Sequence, residues 1–254
     1  MARPVVIVGL GEMGGAFAHG WLRLGRTVVP VNRGDDPRRV EVEPELVMIA
    51  VGEGALDDVL EALPDRWRDR VGLLQNELLP TDWERHGIVD PTVAAVWFEK
   101  KRSKPLNVVL PTVVAGPHAE LVVDAIGALQ LPAERVERDQ LLFELVKKNL
   151  YILTANIAGL VTGGTVSELW RSHRELAERV AREVLAIQAW RAGVALPEEA
   201  LVAAMVEAFE GDPHHQCTGR SAVPRLERAL RHAAEASIAV PSLRSIAGRR
   251  SIGS

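Results

Sequence analysis

The 254-residue sequence holds a single cysteine, Cys217. One thiol excludes an intramolecular disulfide framework and any cysteine-cluster metal site, and a reducing cytoplasm is the natural home for such a chain. No apolar stretch reaches the ~18 residues needed to span a bilayer, so no membrane partner is expected. Basic charge is not in excess: 30 Lys and Arg stand against 34 Asp and Glu, a formal net charge of -4. That balance gives no electrostatic case for nucleic acid or an anionic membrane. Basic residues do gather at Glu99-Lys-Lys-Arg-Ser-Lys104 and at Arg249-Arg250, where they read as a solvated loop and a solvated terminus. Internal repeats and low-complexity tracts are missing. A signal peptide is not expected, because a strand pattern begins at Val5 and Gly9 interrupts the apolar run. His214, His215 and Cys217 offer three neighbouring candidate ligands without a fourth, so no metal is expected.

What the chain does have is concentrated in its first thirty-odd residues. Val5 to Val8 form an apolar β-branched run of the kind that makes a strand buried on both faces. Gly9, Gly11 and Gly14 follow at the spacing G-x-G-x-x-G. In a dinucleotide site the first glycine makes the tight turn and the second lets backbone N–H groups approach a pyrophosphate. The third lets the helix pack closely on the strand. A helix is predicted over Glu12 to Leu24, and Thr27 to Val31 complete a βαβ unit. The alternative reading is a glycine-rich turn that only joins strand to helix.

The residues closing the second strand bear on the cofactor. NAD sites usually place an acid there to accept from the ribose 2′-hydroxyl. Here the place is taken by Asn32 and Arg33, and a guanidinium fork suits a phosphate. NADP is therefore preferred over NAD, with Asp35 and Asp36 as acids that a longer strand would bring close to the ribose. Further strands are predicted at Leu46 to Val51, Val71 to Leu74, Val93 to Phe98 and Leu106 to Leu110, with helices at Leu56 to Leu63 and His118 to Leu129. Cofactor contacts are expected from Gly9, Leu10, Gly11, Glu12, Met13, Gly14, Asn32, Arg33, Val51, Gly52, Gln75 and Asn76, all at strand ends on one sheet edge. Asn76 has three readings: cofactor contact, substrate contact, or cap of the next segment.

Beyond Arg138 the pattern turns wholly helical, with long helices at Asp139 to Leu160 and Ser167 to Ala192 and shorter ones at Glu198 to Phe209, Ala222 to Ala236 and Pro241 to Ala247. The fold class is thus α/β: an N-terminal Rossmann doubly wound sheet, residues 1–138, followed by a smaller all-α domain, residues 139–254. Several apolar stripes in the helical half suggest association of two chains through it.

This layout is that of the 6-phosphogluconate dehydrogenase-like group. Within it, Phe143-Glu-Leu-Val-Lys-Lys-Asn-Leu-Tyr-Ile-Leu-Thr-Ala-Asn156 resembles the ketopantoate reductase (2-dehydropantoate 2-reductase) family. That family writes Lys, Asn and Asn at intervals of four on the helix opening its second domain. The resemblance places its catalytic lysine at Lys148 and its second asparagine at Asn156, with Ile152 where the first asparagine stands. Gln75-Asn76, Gly9 to Gly14 and Ile238-Ala-Val-Pro241 also match. Departures are Val51 in place of a cofactor-contacting lysine, Arg220-Ser221-Ala222 in place of a Glu-Ile pair, and a shorter helical domain. The resemblance implies an NADPH-dependent reductase of a small oxo acid or related carbonyl, with Lys148 as general acid and Asn156 and Asn76 positioning the substrate. Read from the residues alone, Lys148 and Lys147 are rather solvated helix lysines and Asn156 a partner for a buried backbone group. A β-hydroxyacid dehydrogenase or imine reductase shares the layout, and a catalytically inactive NADP-binding regulatory protein would keep the nucleotide site without turnover.

Overall fold

The structure, a computed structural model, describes residues 2–100 and 106–251; residues 101–104 of the basic run lie outside them. Two compact units divide the chain, Met1–Leu145 and Val146–Ser254.

The first unit runs β1 (Val5–Val8), α1 (Glu12–Arg23), β2 (Val28–Val31), β3 (Leu46–Ile49), α2 (Leu56–Ala62), β4 (Val71–Leu73), α3 (Pro80–Glu84), β5 (Thr92–Ala95), β6 (Phe98–Glu99), β7 (Asn107–Val108), β8 (Thr112–Ala115), α4 (Ala119–Ala128) and β9 (Ala133–Arg135). Seven strands form one sheet in the order β2-β1-β3-β4-β5-β8-β9. The first five are parallel throughout. Both faces are covered: Val5, Ile7, Leu46 and Met48 join a core with Phe17, Trp21, Val122 and Ile126, while the alternate residues Val6, Val47 and Ile49 are equally inaccessible. This explains why each strand reads as continuous apolar sequence. Pro30 sits in β2, which pairs only with β1, so its missing N–H falls on an edge strand, where it breaks no ladder.

Helices α1 and α4 approach closely at Gly20, where a β-carbon would stand 2.2 Å from the carbonyl oxygen of Ala125. Trp21 Nε1 donates to the carbonyl of Leu121 at 2.9 Å, which fixes the same pair of helices.

The sheet reverses after β5. Among the described residues no helix separates β5 from the next strand of the sheet. Instead the paired strands β6 and β7 lie between them, and β8 pairs antiparallel with β5. Trp97 N–H donates to Thr112 Oγ1 at 3.0 Å and Val109 N–H to the Trp97 carbonyl at 2.8 Å, closing the return. Two strand expectations are corrected here. The stretch Val93 to Phe98 is divided between β5 and β6, and Leu106 to Leu110 supplies only β7, outside the main sheet, whereas Thr112–Ala115 is the strand that continues it.

Helix α5 (Arg138–Thr162) passes from the first unit into the second, which continues with α6 (Val166–Ser172), α7 (Arg174–Ala192), α8 (Glu198–Gly211), α9 (Ala222–Glu235) and α10 (Pro241–Ser251). The single helix expected over Ser167 to Ala192 is two, broken at His173 (φ -133, ψ 31). Ser172 and His173 are both mediocre helix formers, and α6 has its own start in the reciprocal bonds of Thr165 and Glu168. The Glu183 carboxylate of α7 accepts from the N–H groups of Ser242 and Leu243 at 2.8 and 3.0 Å, capping α10. Among the described residues no helix is long and apolar enough to cross a membrane.

Candidate functional site

The strand order sets the geometry of the first unit. The chain leaves β1 toward β2 on one side and then crosses to β3 on the other, so β1 and β3 flank the point where the winding changes direction. Ligands of open α/β sheets lie beyond the carboxyl ends of the strands at such a point. Four strand ends follow one another along this edge: Asn32-Arg33 after β2, the glycine turn after β1, Val51-Gly52 after β3 and Gln75-Asn76 after β4. At the usual strand spacing they span about 14 Å.

The three glycines of the turn divide by what surrounds them. Gly9 adopts φ +95, and a β-carbon there would stand 2.9 Å from both the Ala50 carbonyl oxygen and Val51 Cγ1. On Gly14 a β-carbon would stand 2.0 Å from the Gly9 carbonyl oxygen. These two glycines are demanded by the protein's own packing. Gly11 is not: its β-carbon would meet nothing within 4 Å, and its φ of -74 is open to any residue. Gly52 likewise faces open space. Gly11 is also the cap residue of α1, whose first turn receives no side-chain cap. The leading N–H groups of α1 thus point outward with a partial positive charge beside an open glycine. A pyrophosphate fits this cradle, because it needs backbone approach at the position the packing leaves free.

The other expected contacts fall as follows. Leu10 and Glu12 are exposed, and Met13 packs on the core beneath. Asn32 and Arg33 are exposed, and Arg33 makes no ion pair among the described residues. Val51 leans over Gly9. Gln75 is buried, and its amide works underneath the edge: Nε2 donates to the carbonyls of Ile49 and Val51 at 2.8 and 3.3 Å, and Oε1 accepts from Leu74 N–H at 3.1 Å. It ties the end of β4 to the end of β3. Asn76 is half-buried, and its amide has no hydrogen-bond partner among the described residues. It does not cap α3, since Asp82 accepts from Leu79 N–H at 2.8 Å in that role. The next residue, Glu77, is held at φ +62, a conformation uncommon outside glycine and asparagine that turns the backbone sharply just after Asn76.

In the second unit Lys148 and Asn156 share α5, two turns and about 12 Å apart. Lys148 is only 4% exposed, so it is not a solvated helix lysine. Ile152, between them, is half-buried. Asn156 is buried and engaged on both sides of its amide: Nδ2 donates to the Cys217 carbonyl at 3.0 Å, and Oδ1 accepts from Arg225 Nη1 at 2.6 Å. The turn holding Cys217 lies so close to α5 that a β-carbon on Gly159 would stand 2.5 Å from Cys217 Cβ. Burial, seconded by the Glu168 carboxylate, pushes the Cys217 thiol up to about 11, so it is a neutral packing group and a poor metal ligand. His215 packs against Tyr151 with tilted rings, their centroids 5.9 Å apart.

Two polar contacts of this unit escape the sequence. Arg225 enters the buried set from the first turn of α9, and Asn149 Nδ2 donates to Gln188 Oε1 at 2.9 Å with both side chains buried. Gly159, a glycine inside an otherwise apolar helix, was the one visible sign that another segment approaches there.

No protein-family model matches the chain, and no curated protein matches it. Solved structures do. The 2-dehydropantoate 2-reductase of Methylococcus capsulatus superposes with a TM-score of 0.72 at 13% identity, covering 98% of this chain and 96% of that one. The chain has the ketopantoate reductase fold. The dimeric ketopantoate reductase of Staphylococcus aureus matches with a TM-score of 0.66 at 16% identity, over 96% of both chains. So does a ternary complex of D-mandelate dehydrogenase with NADH and anilino(oxo)acetate, with a TM-score of 0.66 at 12% identity and 96% coverage of each chain. The N-terminal Rossmann-like sheet followed by a helical domain is therefore the arrangement of ketopantoate reductases over nearly the whole length.

Proposed function

We propose that this chain is a nicotinamide-dependent reductase of a small oxo acid or related carbonyl, with NADPH as the preferred cofactor. The observation that carries the reading is the division of the glycines: packing demands Gly9 and Gly14 and leaves Gly11 open beside an uncapped helix terminus. A turn that merely joined strand to helix would have no use for a bare backbone at Gly11. The ketopantoate reductase fold, which is also that of a dehydrogenase complexed with NADH and an oxo acid analogue, supports the same reading.

A nicotinamide cofactor, when bound, would supply a hydride to the carbonyl carbon. The chain would supply the rest. Backbone N–H groups of the α1 first turn would hold the pyrophosphate, and Arg33 would pair with the 2′-phosphate. Lys148, as ammonium, donates its proton to the carbonyl oxygen as negative charge develops there, and regains one from water after the product alcohol leaves. Asn76 offers its unengaged amide to the substrate. Asn156 orients the distal part of the substrate with the one amide hydrogen that Cys217 does not take. Two chains associate through the helical unit, where Trp190 and Val194 at the end of α7 are exposed. A lone buried thiol suits work in a reducing cytoplasm.

The experiment is a screen of NADPH and NADH oxidation against 2-oxo acids, β-keto acids and imines, with Lys148→Ala as control. Turnover by the wild type and its loss in the variant support the reductase. A second reading, an NADP-binding regulatory protein without turnover, draws on Ile152 in the middle of the stripe and on the engaged amide of Asn156. Tight nucleotide binding with no oxidation across the panel selects it.

A further inference from the structure

In sequence the acids nearest β2 come four and five residues after its end, which leaves Asn32 and Arg33 at the strand terminus. The chain path changes that order. The Val31 carbonyl accepts from Gly9 N–H at 2.9 Å, so the end of β2 abuts the first residue of the glycine turn. Asn32 to Asp35 then close a tight turn, with Asp35 N–H donating to the Asn32 carbonyl at 3.0 Å and Gly34 supplying the left-handed residue at φ +93. This turn carries the Asp35 side chain backward, where Oδ2 accepts from Asn32 N–H at 2.7 Å. Asp36 is directed elsewhere. Its Oδ1 accepts from Arg38 N–H at 3.0 Å, and its Oδ2 lies 3.8 Å from Arg39 Nε. One acid of the two is therefore folded onto the strand end, exposed, with Oδ1 making no hydrogen bond among the described residues.

We infer that Asp35 and Arg33 jointly set the cofactor choice, with the Asp35 carboxylate accepting from the ribose 2′-hydroxyl of NADH and opposing the 2′-phosphate of NADPH that Arg33 attracts. The inference rests on the dinucleotide reading of the glycine turn and deepens it. The bond to Asn32 N–H keeps the Asp35 carboxylate beside the end of the second strand, the region from which an acid about 20 residues past the glycine motif recognises a free ribose. One oxygen is engaged and the other is available. The same negative charge repels a phosphate at that carbon, while Arg33, two residues earlier and in no ion pair among the described residues, attracts it. Both nucleotides are accommodated, and Asp35 holds the preference for NADPH below what Arg33 alone would give.

The test is calorimetric titration of NADPH and NADH into wild type, Asp35→Asn and Arg33→Ala. Asp35→Asn removes the charge but keeps an oxygen that can accept from Asn32 N–H, so the turn is retained. It is expected to tighten NADPH by about fivefold or more and to weaken NADH by about threefold or more. Arg33→Ala is expected to weaken NADPH by about tenfold and to leave NADH within about twofold. Opposite movement of the two affinities is the decisive signature, since a disturbed turn weakens both together. Equal weakening in Asp35→Asn, or an unchanged NADPH-to-NADH ratio, overturns the inference while leaving the dinucleotide site in place. A wild type that binds neither nucleotide overturns the dinucleotide reading itself.

Discussion

A β-carbon on Gly14 would stand 2.0 Å from the carbonyl oxygen of Gly9, closer than any real carbon approaches an oxygen without a bond. Helix α1 therefore lies against the end of β1 only because residue 14 has no side chain. Gly14→Ala is expected to force helix and strand apart at a cost of about 1–3 kcal/mol and to spoil the turn for any nucleotide. Urea denaturation and a nucleotide titration on the same preparation check both effects. An unchanged midpoint would mean that the helix shifts freely.

Gln75 joins two strand ends from below. Gln75→Leu keeps most of the volume but leaves Leu74 N–H and the Ile49 carbonyl without their side-chain partner. Each unpaired buried group costs about 1–3 kcal/mol, so a loss of at least about 2 kcal/mol is expected in urea unfolding. Weakened nucleotide binding should accompany it, because Val51 and Gly52 are held in place by the same amide.

How much of this was legible in the sequence differs between the two units. The βαβ start, the buried strands β3 and β4 and the helices α5, α8 and α9 were readable, because each carries either a short run free of polar side chains or a three-four apolar period. The reversal at β8 was not. Thr112–Ala115 is as apolar as β5, and nothing local to it records that a pair of short strands rather than a helix precedes it. Strand β9 escaped for a different reason, being a short edge strand with two exposed residues in three. Of the candidate site, the glycines and Lys148 were proposed from spacing and resemblance. The clasp made by Gln75, the fold-back of Asp35 and the pairing of Arg225 with Asn156 were invisible, since each depends on segments brought together only by the tertiary path.

Lys148 is buried on α5, so removing it has structural and chemical consequences that need separating. Lys148→Met keeps the apolar stem. It is expected to retain nucleotide affinity within about twofold while turnover falls by about 10²–10⁴, the usual contribution of a positioned general acid. Undiminished turnover would remove Lys148 from the chemistry.

Cys217 gives a pH signature. Its thiol titrates near 9.0 when unperturbed and at about 11 in the folded chain, raised by burial and then by Glu168. The folded state favours the protonated form, so this contribution to stability is complete below pH 9 and is lost as pH rises from about 9 to about 11. Wild type should lose more stability over that interval than Cys217→Ala, measured by urea midpoints at matched ionic strength. Parallel losses would show that the thiol is not desolvated.

The most direct test of the central claim is a calorimetric titration of NADPH and NADH into the wild type and Gly11→Ala, with thermal melts of both proteins. A β-carbon on Gly11 meets nothing in the protein, so the variant should fold and melt as the wild type does. A methyl group there stands where the pyrophosphate must approach, and its affinity should fall by about tenfold or more. Unchanged stability with lost binding is the expected result. Equal binding by both proteins, or no binding of either nucleotide by the wild type, would contradict the dinucleotide site and the reductase built on it.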